Sequence, residues 1–150
     1  MFFALIAGCH PAREPKASTE NLAAIYNPAA DAKADVAAAL GKAKRDHKRV
    51  LVMFGGNWCV WCHRLHTVLL NDAAIATLLR SKYELVMVDI DNNKVLLASY
   101  DKGHERHGYP FLTVLDADGR VLVNQETGVL EKDKGYDLEK VKAFLSKWAP

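Results

Sequence analysis

The chain has 150 residues, half of them hydrophobic and a quarter charged, which is the make-up of one ordinary globular domain. Its formal net charge of +2, with no Lys/Arg block interleaved with aromatics, argues against a nucleic-acid partner. No run approaches the roughly 20 apolar residues needed to span a bilayer. A chain of this length can bury a core without disulfide staples, and its cysteine count is three, an odd number.

The first element in chain order is MFFALIAGC. Leu5-Ile6-Ala7-Gly8-Cys9 resembles a bacterial lipobox, in which small residues precede a cysteine that is lipidated and becomes the mature N-terminus. On that reading residues 1–8 are a signal-peptide remnant, short and without a basic segment before it, and Cys9 is the lipidation site. Residues 9–30 are then a tether and N-terminal extension, polar and Pro-containing at His10-Pro11-Ala12-Arg13-Glu14-Pro15-Lys16. The expected location is the periplasm, at a membrane through the lipid anchor.

From Asp31 the sequence is rich in strong helix formers, with Asp31 placed to cap them and Pro28 to shape the entry. Residues 49–54 form a continuous apolar run of β-type residues ended by Gly55-Gly56, the pattern of a strand buried on both faces. Cys62, Leu65, Val68 and Leu69 fall at helical spacing, so the Cys-x-x-C pair opens a helix; Asn71-Asp72 breaks it, and residues 73–80 continue in helical style. YELVMVD (83–89) is a second buried strand and residues 94–100 a short helix. A polar loop from His104 to Pro110 leads into a third strand at 111–115. Asp116-Ala117-Asp118-Gly119 signals a hairpin into a strand at 120–124. Residues 137–148 make a capped amphipathic helix with Leu138, Val141, Phe144 and Leu145 on one face. No internal repeat interrupts this order, so residues 31–150 form one domain.

Chemistry concentrates in Trp58-Cys59-Val60-Trp61-Cys62-His63. A cysteine at the start of a helix sits where unpaired backbone N–H groups and the helix dipole favour negative charge. That lowers the thiol pKa and supplies the thiolate that attack on a disulfide requires. Cys62, one turn further on, is close enough to close a ring, so Cys59 is the expected nucleophile and Cys62 the resolving thiol. Cys-x-x-Cys-His is also the attachment signature of a c-type haem, with His63 as axial ligand. Such proteins are generally helical, whereas this motif follows a buried strand ending in Gly-Gly, and Met53 and Met87 sit in core strands rather than as distal ligands. A third reading uses Cys59, Cys62, His63 and His66 as metal ligands, but four ligands within one and a half helical turns do not converge tetrahedrally. No metal is therefore expected, and His63 and His66 are read as modulators of the cysteines or as polar residues of an exposed face. His104 and His107 lie in the loop just before Pro110, which the fold would bring near Cys59, although loop histidines of this kind are more often merely solvated.

Three stretches carry a resemblance to the thioredoxin superfamily over roughly residues 31–149: VLVMFGGNWCVWC (50–62), VMVD (86–89) and GYPFLTVLDADG (108–119). The sequence is similar to bacterial periplasmic thioredoxin-like proteins and to the C-terminal domain of the thiol:disulfide interchange protein DsbD. The resemblance implies an α/β thioredoxin fold: a central mixed sheet flanked by helices, here with an extra N-terminal helical segment. It implies thiol–disulfide exchange with protein or small-molecule thiols and no cofactor beyond the Cys59–Cys62 disulfide. It also implies disulfide-containing protein substrates and a membrane or thioredoxin-type electron donor. Pro110 in such proteins is cis and faces the cysteines, so that Trp58, Tyr109 and Pro110 shape substrate docking. The sequence departs from the pattern at Met53, where thioredoxins commonly carry a buried Asp, and at the Val60-Trp61 dipeptide between the cysteines. The alternative is a protein of the same fold that docks partners or carries metal through these cysteines without redox turnover.

Overall fold

The computed structural model describes residues 22–103 and 107–150. Its elements are α1 (Ala32–Asp46), β1 (Arg49–Gly55), α2 (Val60–Asn71), α3 (Ala73–Lys82), β2 (Tyr83–Asp89), α4 (Ile90–Tyr100), β3 (Phe111–Leu115), β4 (Val121–Glu126), β5 (Glu131–Lys132), β6 (Gly135–Tyr136) and α5 (Leu138–Lys147). Aspartates cap four boundaries as the sequence predicts or permits. The side chains of Asp31, Asp72 and Asp137 accept from the first free N–H groups of α1, α3 and α5, while Asp72 also ends α2.

Four strands form one mixed sheet in the order β2-β1-β3-β4, with β1 parallel to β2 and antiparallel to β3. Because side chains alternate across a strand, β1 feeds two cores. Leu51 and Met53 join α2, α3 and α5 on one face, and Val50, Val52 and Phe54 join α1 and α4 on the other. The uninterrupted apolar run of β1 thus marks a strand with helices on both sides. β2 is less buried than its sequence suggested, with Leu85 and Met87 only partly covered, because it lies at the sheet edge.

Three further differences have physical reasons. The helix expected at 94–100 is the second of two helical pieces in α4, joined across a kink at Asn93 (φ −130°, ψ 30°), and buried Ile90 anchors the first. β4 runs to Glu126 because its ladder with β3 continues to the Phe111–Glu126 pair, and a 3₁₀ turn (Thr127–Leu130) and the β5–β6 ribbon follow it. Leu138, expected on the buried face of α5, is 45 % exposed while Val141, Phe144 and Leu145 are buried. Periodicity selects a helix face but not how far neighbours extend along it, and Leu138 is the first residue after the cap.

Candidate functional site

β1 ends at Gly55, and the chain turns through residues 56–58 before Cys59 caps α2. Cys59 is the N-cap of α2, extended at φ −89° and ψ 102°, and its sulfur accepts from the Cys62 N–H at 3.1 Å. The pair is disulfide-bonded with Cα atoms 5.2 Å apart, inside the usual range. Cys59 keeps 6 % exposure and Cys62 none. The positive end of the helix therefore surrounds the sulfur nearer to solvent.

The Tyr109 carbonyl stands beside this sulfur, and Trp58 packs on the Tyr109 ring. Cys59 Sγ lies 3.6 Å from the Tyr109 carbonyl oxygen, and the Tyr109–Pro110 peptide bond is cis. The Trp58 indole packs edge-on to Tyr109 with centroids 6.1 Å apart and donates from Nε1 to the Asp91 carboxylate at 2.9 Å, yet stays 58 % exposed. Gly56 makes that pose possible, since a Cβ there would stand 2.8 Å from indole Cε2. Burial, with the nearby Asp91 charge, raises the Tyr109 hydroxyl pKa.

The Cys-x-x-C dipeptide and the following histidines divide between surface and support. Val60 is exposed, whereas Trp61 packs edge-on to Tyr136 at 5.6 Å and carries the Arg64 guanidinium over its ring. Tyr136 donates to Thr127, and Thr127 donates to the Pro110 carbonyl at 2.7 Å, so the β5–β6 excursion braces the proline loop from behind. Burial pushes the Tyr136 hydroxyl up to about 12. His63 Nε2 is 2.9 Å from the Asn57 carbonyl oxygen, which ties α2 to the loop before the cysteines. His66 is half-buried, and burial first, then neighbouring His63, lowers its imidazole pKa. Among the described residues it makes no hydrogen bond to either sulfur, and no group of three or more His, Cys, Asp or Glu side chains is placed to hold a metal ion. His107 stacks on Phe111 and pairs with Asp101 at 3.0 Å. His104 and Cys9 lie outside the described residues.

Part of the site arrives from the N-terminal extension, where the sequence reading held no expectation of it. Residues 22–30, the last of the stretch assigned to tether and extension, are seated on the active-site loop. The Asn57 side chain accepts from the Ile25 and Tyr26 N–H groups, each at 2.9 Å, and donates to the Tyr26 carbonyl at 3.0 Å. Asn92 holds the same segment at the Pro28 carbonyl. Tyr26 is 3 % exposed, in one core with Met53, Cys59 and Cys62. A Cβ on Gly55 would collide with Cys62 Sγ and come within 2.5 Å of Tyr26 Oη, so the sulfur and the hydroxyl share the space that glycine leaves. The available signal was Ala23-Ala24-Ile25-Tyr26, an apolar patch stopped by Asn27-Pro28 in an otherwise polar stretch.

A thioredoxin-like family profile matches residues 31–117. The crystal structure of disulphide isomerase from Xylella fastidiosa Temecula1 is 30 % identical with a TM-score of 0.73, covering 84 % of this chain and 97 % of that one. The disulfide bond reductase DsbH of Chlamydia pneumoniae is 30 % identical over an alignment of 98 positions that covers 57 % of this chain and 57 % of the relative. The chain thus matches just over half the length of that curated relative. The reduced C-terminal domain of Neisseria meningitidis DsbD, 20 % identical with a TM-score of 0.54 over 77 % of this chain and 95 % of that domain, shares the fold.

Proposed function

Because the chain belongs to the thioredoxin-like family, we propose that it is a thiol–disulfide oxidoreductase working through Cys59 and Cys62. The observation that carries this is the disulfide at the head of α2, with one sulfur capping the helix and the other buried beneath it. Reduced Cys59, as thiolate, attacks one sulfur of a substrate disulfide, and the substrate's other sulfur leaves as a thiolate that takes up a proton. Cys62, having lost its own proton, then attacks Cys59 Sγ, forms the Cys59–Cys62 bond and releases the second substrate thiol. Two electrons pass from the pair to the substrate, and a thioredoxin-type or membrane dithiol returns them. The sulfurs suffice for this chemistry, with no further cofactor.

Trp58, Tyr109 and Pro110 are the docking residues of this reading. Half-buried Tyr109 has its carbonyl beside the Cys59 sulfur and exposed Trp58 packed on its ring, which supports docking of an extended peptide there. Disulfide-bearing proteins are the substrate class. The periplasm is the proposed location, with a lipid anchor at Cys9, on the strength of the Leu5–Cys9 motif. Insulin reduction in the presence of a dithiol donor tests the function. Wild type should turn over and Cys59→Ser should not, while Cys62→Ser should accumulate mixed disulfides with substrate that Cys59→Ser does not form. Equal inactivity of all three proteins would point instead to a docking or carrier role, and trapping by Cys59→Ser would reverse the assigned roles.

A further inference from the structure

Reduction of the Cys59–Cys62 bond leaves a sulfur at position 62 with 0 % exposure in a largely apolar core. That sulfur must pass through the thiolate to resolve a mixed disulfide, and burial of a thiolate without a partner opposes this. Met53, on the same face of β1, offers only packing. The Tyr136 hydroxyl is already engaged with Thr127. One polar group next to the sulfur is free. Among the described residues, Tyr26 Oη is the buried side-chain polar atom with no hydrogen-bond partner, and it shares with Cys62 Sγ the space beside Gly55. A buried hydroxyl left unpaired costs free energy, so its occurrence in a native core calls for an explanation.

Resting on the oxidoreductase reading above, we propose that Tyr26 serves the reduced state, its hydroxyl donating a hydrogen bond to the Cys62 thiolate once the disulfide has opened. In the oxidised protein the sulfur is tied to Cys59 and the hydroxyl stays unpaired; on reduction, Cys62 Sγ is free to turn about its Cα–Cβ bond towards it. Tyr26 gives up no proton in this role. The titratable groups that face it are the cysteine pair from α2, Asp89 from the end of β2 and Tyr136 from β6. Burial first, then the Asp89 carboxylate and Tyr136, hold the phenol well above the ordinary tyrosine range, so it remains a donor throughout. Hydrogen bonds to ionised groups are the stronger kind, which favours thiolate over thiol at Cys62 and the reduced pair over the disulfide. The donor is delivered by a segment outside the family-matched residues 31–117, and the three Asn57 hydrogen bonds fix it in place.

Tyr26→Phe in the full chain tests the assignment, because it removes the hydroxyl and keeps the ring. The equilibrium constant of the Cys59–Cys62 pair with glutathione should shift about tenfold towards the disulfide, a fall of roughly 30 mV in reduction potential. The Cys62 thiol, titrated by its thiolate absorbance in a Cys59→Ser background, should ionise at higher pH. Melting should separate the two redox forms: the oxidised variant should melt no lower than oxidised wild type, since it has lost only an unpaired hydroxyl, whereas the reduced variant should melt lower. An unchanged glutathione equilibrium in a wild type that exchanges and reduces insulin normally overturns this inference and leaves the oxidoreductase reading standing. Equal destabilisation of both redox forms also overturns it, by making Tyr26 a packing residue. A wild type that does not exchange with glutathione at all removes the reading beneath it, and this inference with it.

Discussion

Gly55→Ala should weaken the protein although alanine is the better residue for a strand in general. Gly55 does not have a positive φ, so its backbone would accept alanine; the restriction is space. The added methyl would collide with Cys62 Sγ, stand 2.5 Å from Tyr26 Oη and 3.1 Å from Tyr26 Cζ. Neither neighbour yields easily, since the sulfur is bonded to Cys59 and the tyrosine backbone is fixed by Asn57. Forcing a methyl group into a packed core typically costs about 1–3 kcal/mol. Removing glycine's freedom from the unfolded chain returns about 0.4–1 kcal/mol. The expected net loss is about 1–2 kcal/mol, read by urea denaturation of the oxidised protein. Tyr26→Phe removes one of the crowded atoms, so the double variant should recover about 0.5 kcal/mol or more relative to additivity. A Gly55→Ala protein as stable as wild type, with no coupling to Tyr26→Phe, would refute the shared space on which the placement of Tyr26 depends.

The folded protein holds the His66 pKa below its ordinary value of 6.5, by burial and by His63. The unfolded chain therefore binds a proton first as pH falls, and stability present above about pH 6.5 should be lost as pH drops through the lower folded value. His66→Asn should flatten that acid-side slope, and an NMR titration that places the imidazole at or above 6.5 would contradict the assignment. For the anchor, protein carrying a complete signal should partition with membranes and Cys9→Ser should not, because stable attachment needs more than one acyl chain at the modified cysteine. Equal solubility of the two proteins in fractionated cells would remove the anchor from the functional reading.

Most of the architecture was legible because it rests on local rules. Asp31, Asp72 and Asp137 cap helices by reaching N–H groups two or three residues ahead, and strand β1 is recognisable as a run too apolar to face water on either side. The Cys-x-x-C pair was legible for the same reason, since a strand, two glycines and a helix start within one short stretch place Cys59 on the dipole. Local rules stop where an effect depends on which distant segments meet. The partial exposure of β2 followed from its edge position, which is a property of strand order. Leu138 fits the periodicity of α5 yet stays 45 % exposed at the first position of the helix. The bracing of the proline loop by Tyr136 and Thr127 spans β6 to Pro110 and leaves no mark in spacing.

Tyr26 shows this division most sharply. The sequence by itself determined the redox pair, its helix and the absence of a carboxylate at Met53, because each depends on residues within a few positions of one another. Only the tertiary structure decided what stands beside Cys62 instead. The site takes Tyr26 from 36 residues upstream of Cys62, held by the side chain of Asn57 and admitted by the missing side chain of Gly55. Hydrogen bonding and exclusion of volume act on atoms that are near in space, and nearness between residues 26, 55, 57 and 62 is produced only when the extension folds back over the end of β1.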